Sequence, residues 1–259
     1  MTADAVQSDS VADFYDDLAA DYDAMTGFER RFVIERPFFR LLVERYGITT
    51  ALDAGCGTGF HALLLARLGV STTAVDLSPR MIEKVAAHAR ELQLHVTAVR
   101  SDFQTLPEVL HTTFDAVFCL GNTLAHLLDE TDLRSTFDSF FKLLKPGGTL
   151  FLQILNYERI LTHQERVQSV KEVGDTIFVR FYDFEPDLLR FNLLKLKKCG
   201  DTLEQSLHSV RLNPIRHATL ALLLPACGFA DVSSYGAITL EEYTPEKSHD
   251  LVVIATKPH

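Results

Sequence analysis

The sequence predicts an α/β protein: a parallel, doubly wound sheet preceded by a helical segment and interrupted late by a β-rich insertion. Three observations predict it. Strand-like apolar runs alternate with helical patterns without a break from Thr50 to Leu155, the rhythm of a parallel sheet with helices on its faces. A glycine-rich turn, Leu52-Asp53-Ala54-Gly55-Cys56-Gly57-Thr58-Gly59, links the first of those runs to the first helical pattern. After Tyr157 the pattern shifts to long β-rich segments separated by Glu185-Pro186-Asp187 and Gly200-Asp201, before a helix and two strands close the chain. With 259 residues, 47% of them hydrophobic and 23% charged, the chain suits one such domain with additions.

Taken in order, Val11, Phe14, Tyr15, Leu18, Ala19 and Tyr22 fall at helical spacing and make one apolar face, with Asp9 or Ser10 as the cap. Arg30, Arg31 and Arg36 precede Pro37, which should start or kink a second helix running to about Tyr46-Gly47. Residues 50–54 read as a strand, 60–68 as a helix ending at Gly69, and 71–76 as a second strand. Ser78-Pro79 then opens a helix to about Glu91, with Ser at the N-cap and Pro at the first helical position. Residues 94–99 form strand three, and 114–120 an apolar fourth strand buried on both faces. A helix over 131–144 closes at Lys145-Pro146-Gly147-Gly148, followed by strand five at 149–155. Residues 176–183, 188–199 and 202–212 read as an antiparallel meander. A helix over 214–227 and strands at 229–236 and 251–255 complete the chain. This divides it into a helical lid (1–49), a ligand-binding domain (50–157 and 213–259), and a β-rich insertion (158–212) that either covers the site or makes a homo-oligomer contact.

Composition excludes several classes. No apolar run approaches the roughly 20 residues that span a bilayer, and residues 1–10 lack the basic and apolar regions of a signal peptide, so a cytoplasmic location and no membrane partner are expected. Cys56, Cys119, Cys199 and Cys227 are scattered without a C-x-x-C pair, which indicates neither a zinc site nor a disulfide framework. The formal net charge is −10 with no block of Lys/Arg; a basic face for phosphate backbones is missing, so nucleic acid is not an expected partner.

The glycine turn marks the ligand. A dinucleotide fingerprint reads G-x-G-x-x-G, but here the third glycine comes one position early, at Gly59, and Phe60 stands where Gly or Ala belongs. Asp53 opens the turn with a carboxylate that would repel a pyrophosphate and suit a cationic amine. These residues resemble motif I of the class I S-adenosylmethionine (SAM) dependent methyltransferases, an acidic residue followed by G-x-G-x-G. Residues 14–23, Phe-Tyr-Asp-Asp-Leu-Ala-Ala-Asp-Tyr-Asp, are similar to the Y-D-x-x-A-x-x-Y-D lid of many small-molecule methyltransferases, which closes over SAM. The resemblance implies a Rossmann-like seven-stranded sheet with SAM as cofactor. The rival readings are a nicotinamide dehydrogenase, disfavoured by Asp53 and Phe60, and a non-catalytic SAM-binding protein.

The remaining site residues follow the strand ends. Asp76, about 20 residues past the turn, suits both ribose hydroxyls of an adenosyl group, with Leu77 after it and Met81 one helical turn on to pack against adenine. Asp102 and Phe103 after strand three would take the adenine amine and ring; a loop Asp capping the following turn is the bland alternative. Asp53, Ala54, Gly55, Cys56, Gly57 and Gly59 would surround the methionine portion, with Tyr22 above it and Arg31 on its carboxylate. Strand four ends in Cys119-Leu120-Gly121-Asn122-Thr123-Leu124-Ala125-His126-Leu127, which resembles the L-G-N-S-x-A-H-L stretch of glycine and sarcosine N-methyltransferases. It lacks the N-P-P-Y or D-P-P-Y sequence of enzymes that methylate nucleobases. Asn156-Tyr157-Glu158-Arg159-Ile160-Leu161 is similar to that family's R-N-Y-D-x-I-L, but Leu155 stands where the family has the arginine that grips the substrate's carboxylate. A small-molecule acceptor is expected, at nitrogen by the resemblance and otherwise at oxygen, with Tyr15, Asn122 and His126 orienting it and no metal.

Overall fold

The structure, a computed structural model, describes residues 6–7 and 10–259. Asp9, one of the two expected caps, lies outside those residues; Ser10 caps α1 (Val11–Leu18), its hydroxyl accepting from the Asp13 amide at 3.2 Å. A short strand β1 (Val6–Gln7) precedes it. The single lid helix expected to reach Tyr22 is instead two: a tight turn at residues 19–21 separates α1 from α2 (Tyr22–Thr26). Tyr22 therefore starts a new helix and keeps its ring 6.2 Å from that of Tyr15. The next helix, α3 (Phe28–Tyr46), begins well before Pro37, which lies inside it. Proline forfeits the bond to the carbonyl four residues back, here that of Val33, whose side chain is 79% exposed, so that carbonyl lies on the solvent side.

The main sheet is built as the alternation requires. Strands β2 (Thr50–Ala54), β3 (Ser71–Asp76), β4 (Val96–Arg100), β5 (Phe114–Cys119) and β6 (Leu144–Leu155) pair in parallel. Helices α4 (Phe60–Arg67), α5 (Pro79–Glu91), α6 (Leu106–Val109) and α7 (Glu130–Leu143) lie between them. Near the end of the chain, α9 (His217–Ala226), β11 (Ala230–Tyr235) and β12 (Asp250–Thr256) add an antiparallel edge, giving the order β11-β12-β6-β5-β2-β3-β4. β5 is central and has most of its residues buried. Apolar clusters cover the sheet on both sides, one around Phe137, Phe140 and Leu150, the other around Phe39, Phe60 and Phe118. The order reverses between β2 and β5, the switch point at which open α/β sheets leave a crevice beyond their carboxyl ends.

The insertion opens with α8 (Tyr157–Thr162) and forms a second sheet with one strand more than expected: β7 (Val167–Val173), β8 (Thr176–Phe184), β9 (Leu189–Cys199) and β10 (Thr202–Leu212), antiparallel to one another, with β1 added parallel to β10 on the far edge. β7 is an edge strand of mixed Gln168, Ser169, Lys171 and Glu172, so its apolar signal is weak. One face of this sheet carries the lid. Phe14, Leu18 and Met25 are buried against Phe178 and Leu193. Three such side chains contribute roughly 1.5–3 kcal/mol each, more than the ion pairs around them. Lys195 bonds Asp21, and Lys171 donates to the carbonyls of Ala24 and Met25 at 3.0 and 2.9 Å. Toward the main sheet the lid is held by polar contacts: Asp16 receives the Ser78 hydroxyl and the Arg80 amide.

Candidate active site

The glycine turn after β2 lies against three neighbours. A Cβ on Gly55 would come within 2.3 Å of Thr123 Cγ2, and one on Gly59 within 2.9 Å of Val85, so protein packs closely on both glycines. Gly57 also faces the crevice, with the Tyr22 ring about 3.5 Å from where its Cβ would be. Asp53 is sealed beneath the turn, 1% exposed, accepting from the Ala62 amide at 2.9 Å. Burial pushes its carboxyl up to about 6 against the opposing His61 charge.

One cavity opens at the switch point, with the glycine turn, the ends of β3 to β5 and the lid as its walls. Most of the residues singled out in the sequence line it: Tyr15, Tyr22, Arg31, Gly55, Cys56, Gly57, Asp76, Leu77, Asp102, Phe103, Leu120 and His126. Five do not: Asp53, Ala54 and Met81 are buried in the protein at or below 1% exposure, Gly59 is packed on α5, and Asn122 is the fifth. Met81 lies on the core side of α5, three residues from its N-cap, where helical periodicity turns it away from the opening. Asn122 is also off the wall, its carboxamide spent on the Leu155 amide at 3.0 Å and the Tyr157 hydroxyl at 2.8 Å; it braces the turn that carries His126. The wall also includes Thr58, Phe60, His61, Ser101, Gln104 and Thr123, of which only their adjacency to glycine turn or strand end could have given notice.

Three charged groups on the wall are held by the protein. Asp76 accepts from the Gly57 amide at 2.8 Å and the Ser78 amide at 2.9 Å, one bond to each oxygen, and burial raises its pKa. Asp102 Oδ1 takes the Thr105 amide and hydroxyl, both at 2.8 Å; Oδ2 has no partner among the described residues. Arg31 stacks on Phe60 at 4.0 Å and gives Nε to Glu35 at 2.6 Å. Burial works to raise the Glu35 pKa, but bonds from His61 and Arg31 hold it below its usual value.

Beyond β5, a short 3₁₀ turn (Thr123–His126) delivers His126 to the cavity. Its Nε2 lies 2.8 Å from the Tyr15 hydroxyl, while Nδ1 is buried with no partner among the described residues. Burial drops its pKa to about 4, and burial, then Tyr22, raises that of Tyr15. The pair is therefore neutral near pH 7, and nothing on this wall forms a coupled acid and base. Among the described residues there is also no group of His, Cys, Asp or Glu able to hold a metal, and no helix long and apolar enough to cross a membrane.

The sequence and the fold have counterparts among known proteins. A family model described as a methyltransferase domain matches residues 51–148. A glycine/sarcosine N-methyltransferase of Aphanothece halophytica is 30% identical over 216 residues, 83% of this chain and 79% of its own. In structure, an S-adenosylmethionine-dependent methyltransferase of Clostridium acetobutylicum matches with a TM-score of 0.80 at 17% identity, over 95% of this chain and 99% of its own. A sugar N-methyltransferase from Streptoalloteichus matches at 0.73 and 20% identity, over 100% and 98%. The chain belongs to the class I SAM-dependent methyltransferases and is related to the glycine/sarcosine N-methyltransferases.

Proposed function

We propose that this methyltransferase acts on a small molecule at nitrogen, with the acceptor held between the lid and the end of β5. The observation that carries nitrogen over oxygen is the state of His126. With its pKa near 4, it is too weak a base to draw a proton from a phenol, whereas a neutral amine needs none removed before it attacks. If Nε2 carries the ring proton and donates it to Tyr15, the unpartnered Nδ1 accepts an amine N–H and aims the nitrogen's lone pair. The names of the relatives support the same acceptor element.

The wall suits SAM. Asp76 spends one bond per oxygen on the protein, which leaves lone pairs for two ribose hydroxyls; Asp102 Oδ2 is free for the adenine amine, and Phe103 beside it for the ring. Arg31, pinned by Glu35 and Phe60, is the cation on the wall for a carboxylate. SAM supplies, when bound, an activated sulfonium methyl group. The protein's contribution to an in-line displacement is then position and the exclusion of water: holding the amine at roughly 3–3.5 Å in line is worth up to about 7–11 kcal/mol.

A panel of amines, phenols and carboxylates, assayed with SAM and product detection, tests this. Methylation of amines is expected; methylation of oxygen acceptors alone would reverse the assignment. Turnover of any acceptor excludes a pure SAM-binding protein.

A further inference from the structure

The lid meets the glycine turn through an imidazole that stands behind the cavity wall. His88 lies in the last turn of α5, where the helix dipole favours a cation. Its Nδ1 is 3.0 Å from the Thr58 carbonyl on the glycine turn, and its Nε2 is 3.2 Å from Asp23 Oδ2 on the lid helix α2. Both partners are acceptors. A neutral imidazole has a single N–H, so either tautomer turns a lone pair toward one of these oxygens, and only the imidazolium donates to both. The side chains of His88 and Asp23 are 16% and 23% exposed, and the Phe28 ring of α3 lies 4.6 Å from the imidazole, centroid to centroid. Lys84, one turn back on α5, reaches Asp23 Oδ2 at 3.9 Å and opposes a second cation. Glu29 and Arg30 of α3 and Glu91 of α5 border the groove outside. The balance favours the proton. Asp23 raises the His88 pKa, burial opposes the rise, and the Thr58 carbonyl adds to it. Burial likewise works to raise the Asp23 carboxyl, but His88 and Thr58 hold it below its usual value.

Both contacts reach the cavity directly. Asp23 follows Tyr22, whose ring lies about 3.5 Å from where a Cβ on Gly57 would be, and Thr58 follows Gly57, whose amide holds Asp76 at 2.8 Å. Tyr22, Gly57 and Thr58 all line the cavity, so His88 acts through its neighbours on both sides of the crevice. We propose that His88, as an imidazolium, is a positioning residue that ties the lid to the glycine turn, so that the protein holds its cofactor more tightly as pH falls. With the lid open only the Thr58 carbonyl remains, and the neutral ring satisfies it. The closed state therefore binds the proton more strongly than the open one. Its contribution is complete below the ordinary histidine value of 6.5 and is lost as pH rises through the raised one. The effect falls on cofactor affinity, whichever acceptor is methylated.

The test measures S-adenosylhomocysteine affinity by calorimetry from about pH 6 to about pH 9 for the wild type, His88→Gln, Asp23→Asn and the double variant. Each variant is read as a ratio to the wild type, in which the ligand's own ionisations cancel. His88→Gln keeps a donor for one acceptor and carries no charge. At about pH 6 the wild type should bind about 3- to 10-fold more tightly than His88→Gln, the scale of one half-buried ion pair, and at about pH 9 the two should agree within about twofold. Asp23→Asn should lose the same pH dependence, and the double variant should lose no more than either single one. NMR titration should place the His88 pKa above 6.5 in the wild type and lower in Asp23→Asn. If His88→Gln folds poorly, Asp23→Asn and the NMR titration decide on their own. A ratio between wild type and His88→Gln that stays constant across the range would leave His88 a purely structural role and overturn the proposal. A pH dependence that survives in Asp23→Asn would overturn it too, by removing the lid from the titration.

Discussion

Acid titration of stability offers a direct test of the buried His126. Its pKa falls from 6.5 to about 4 on folding, a difference of about 2.5 units, or about 3 kcal/mol at 1.36 kcal/mol per unit. The sign follows from which state binds the proton. Between pH 6.5 and 4 the unfolded chain protonates this histidine and the folded one does not, so stability is lost as pH falls through that window. Asp53 acts the other way: its carboxyl is raised from 3.8 to about 6, so the folded state binds the extra proton and gains stability as pH falls from 6 to 4. Between pH 7 and 4.5 the two amount to about 2.5 kcal/mol lost and about 2 kcal/mol gained, and they nearly cancel. Urea denaturation of the wild type, His126→Gln and Asp53→Asn across this range separates them. Relative to wild type, His126→Gln should become more stable by about 2–3 kcal/mol on acidification and Asp53→Asn less stable by about 2 kcal/mol. A difference curve for His126→Gln that stays flat from pH 7 to 4.5 would refute the buried, neutral histidine.

Asp76→Ala should weaken S-adenosylhomocysteine by about 1.5–3 kcal/mol, the scale of lost charge-assisted bonds, with calorimetry as the readout; an unchanged affinity would remove Asp76 from the ribose. Tyr15→Phe should cut kcat about 10- to 1,000-fold without abolishing it, on the scale of an orienting or proton-handling group, and the wild-type kcat should show no ionisation near pH 6.5; a single ionisation there that His126→Ala lacks would make His126 a base. Gly55→Ala sets a methyl against Thr123 Cγ2 at a φ of 74°, which overpacking and the left-handed backbone should make cost about 2–4 kcal/mol in denaturation. Adding Thr123→Ser removes Cγ2 and should restore the overpacking part alone; no recovery would place the cost elsewhere.

The sheet was legible because its strands bury both faces or end in capped helices: Ser78-Pro79 opens α5 and Gly69 closes the turn after α4 as residue chemistry requires. Asp76 and Asp102 could be placed on the crevice from their positions at strand ends, and His126 from the resemblance of residues 120–127 to the glycine and sarcosine N-methyltransferases. The misplaced residues share a cause. For Ala54, Gly59 and Met81 the spacing points to ligand contact, but spacing does not say which neighbour fills a space, and Val85 and the core fill these. The lid's break at residues 19–21 preserves apolar residues on both sides, so a periodicity count runs through it.

The lid's attachment to the insertion also bears on how the chain matures during synthesis. Asp21 meets Lys195 across 174 residues, and Phe14 finds its apolar floor only on β8 and β9. At about 5–20 residues per second, the first helix waits roughly 10–35 s outside the ribosome before the surface that orders it exists. Through that interval the nucleotide-binding half can form its parallel strands while its ligand crevice stands open, so the ability to hold SAM should precede the ability to enclose it.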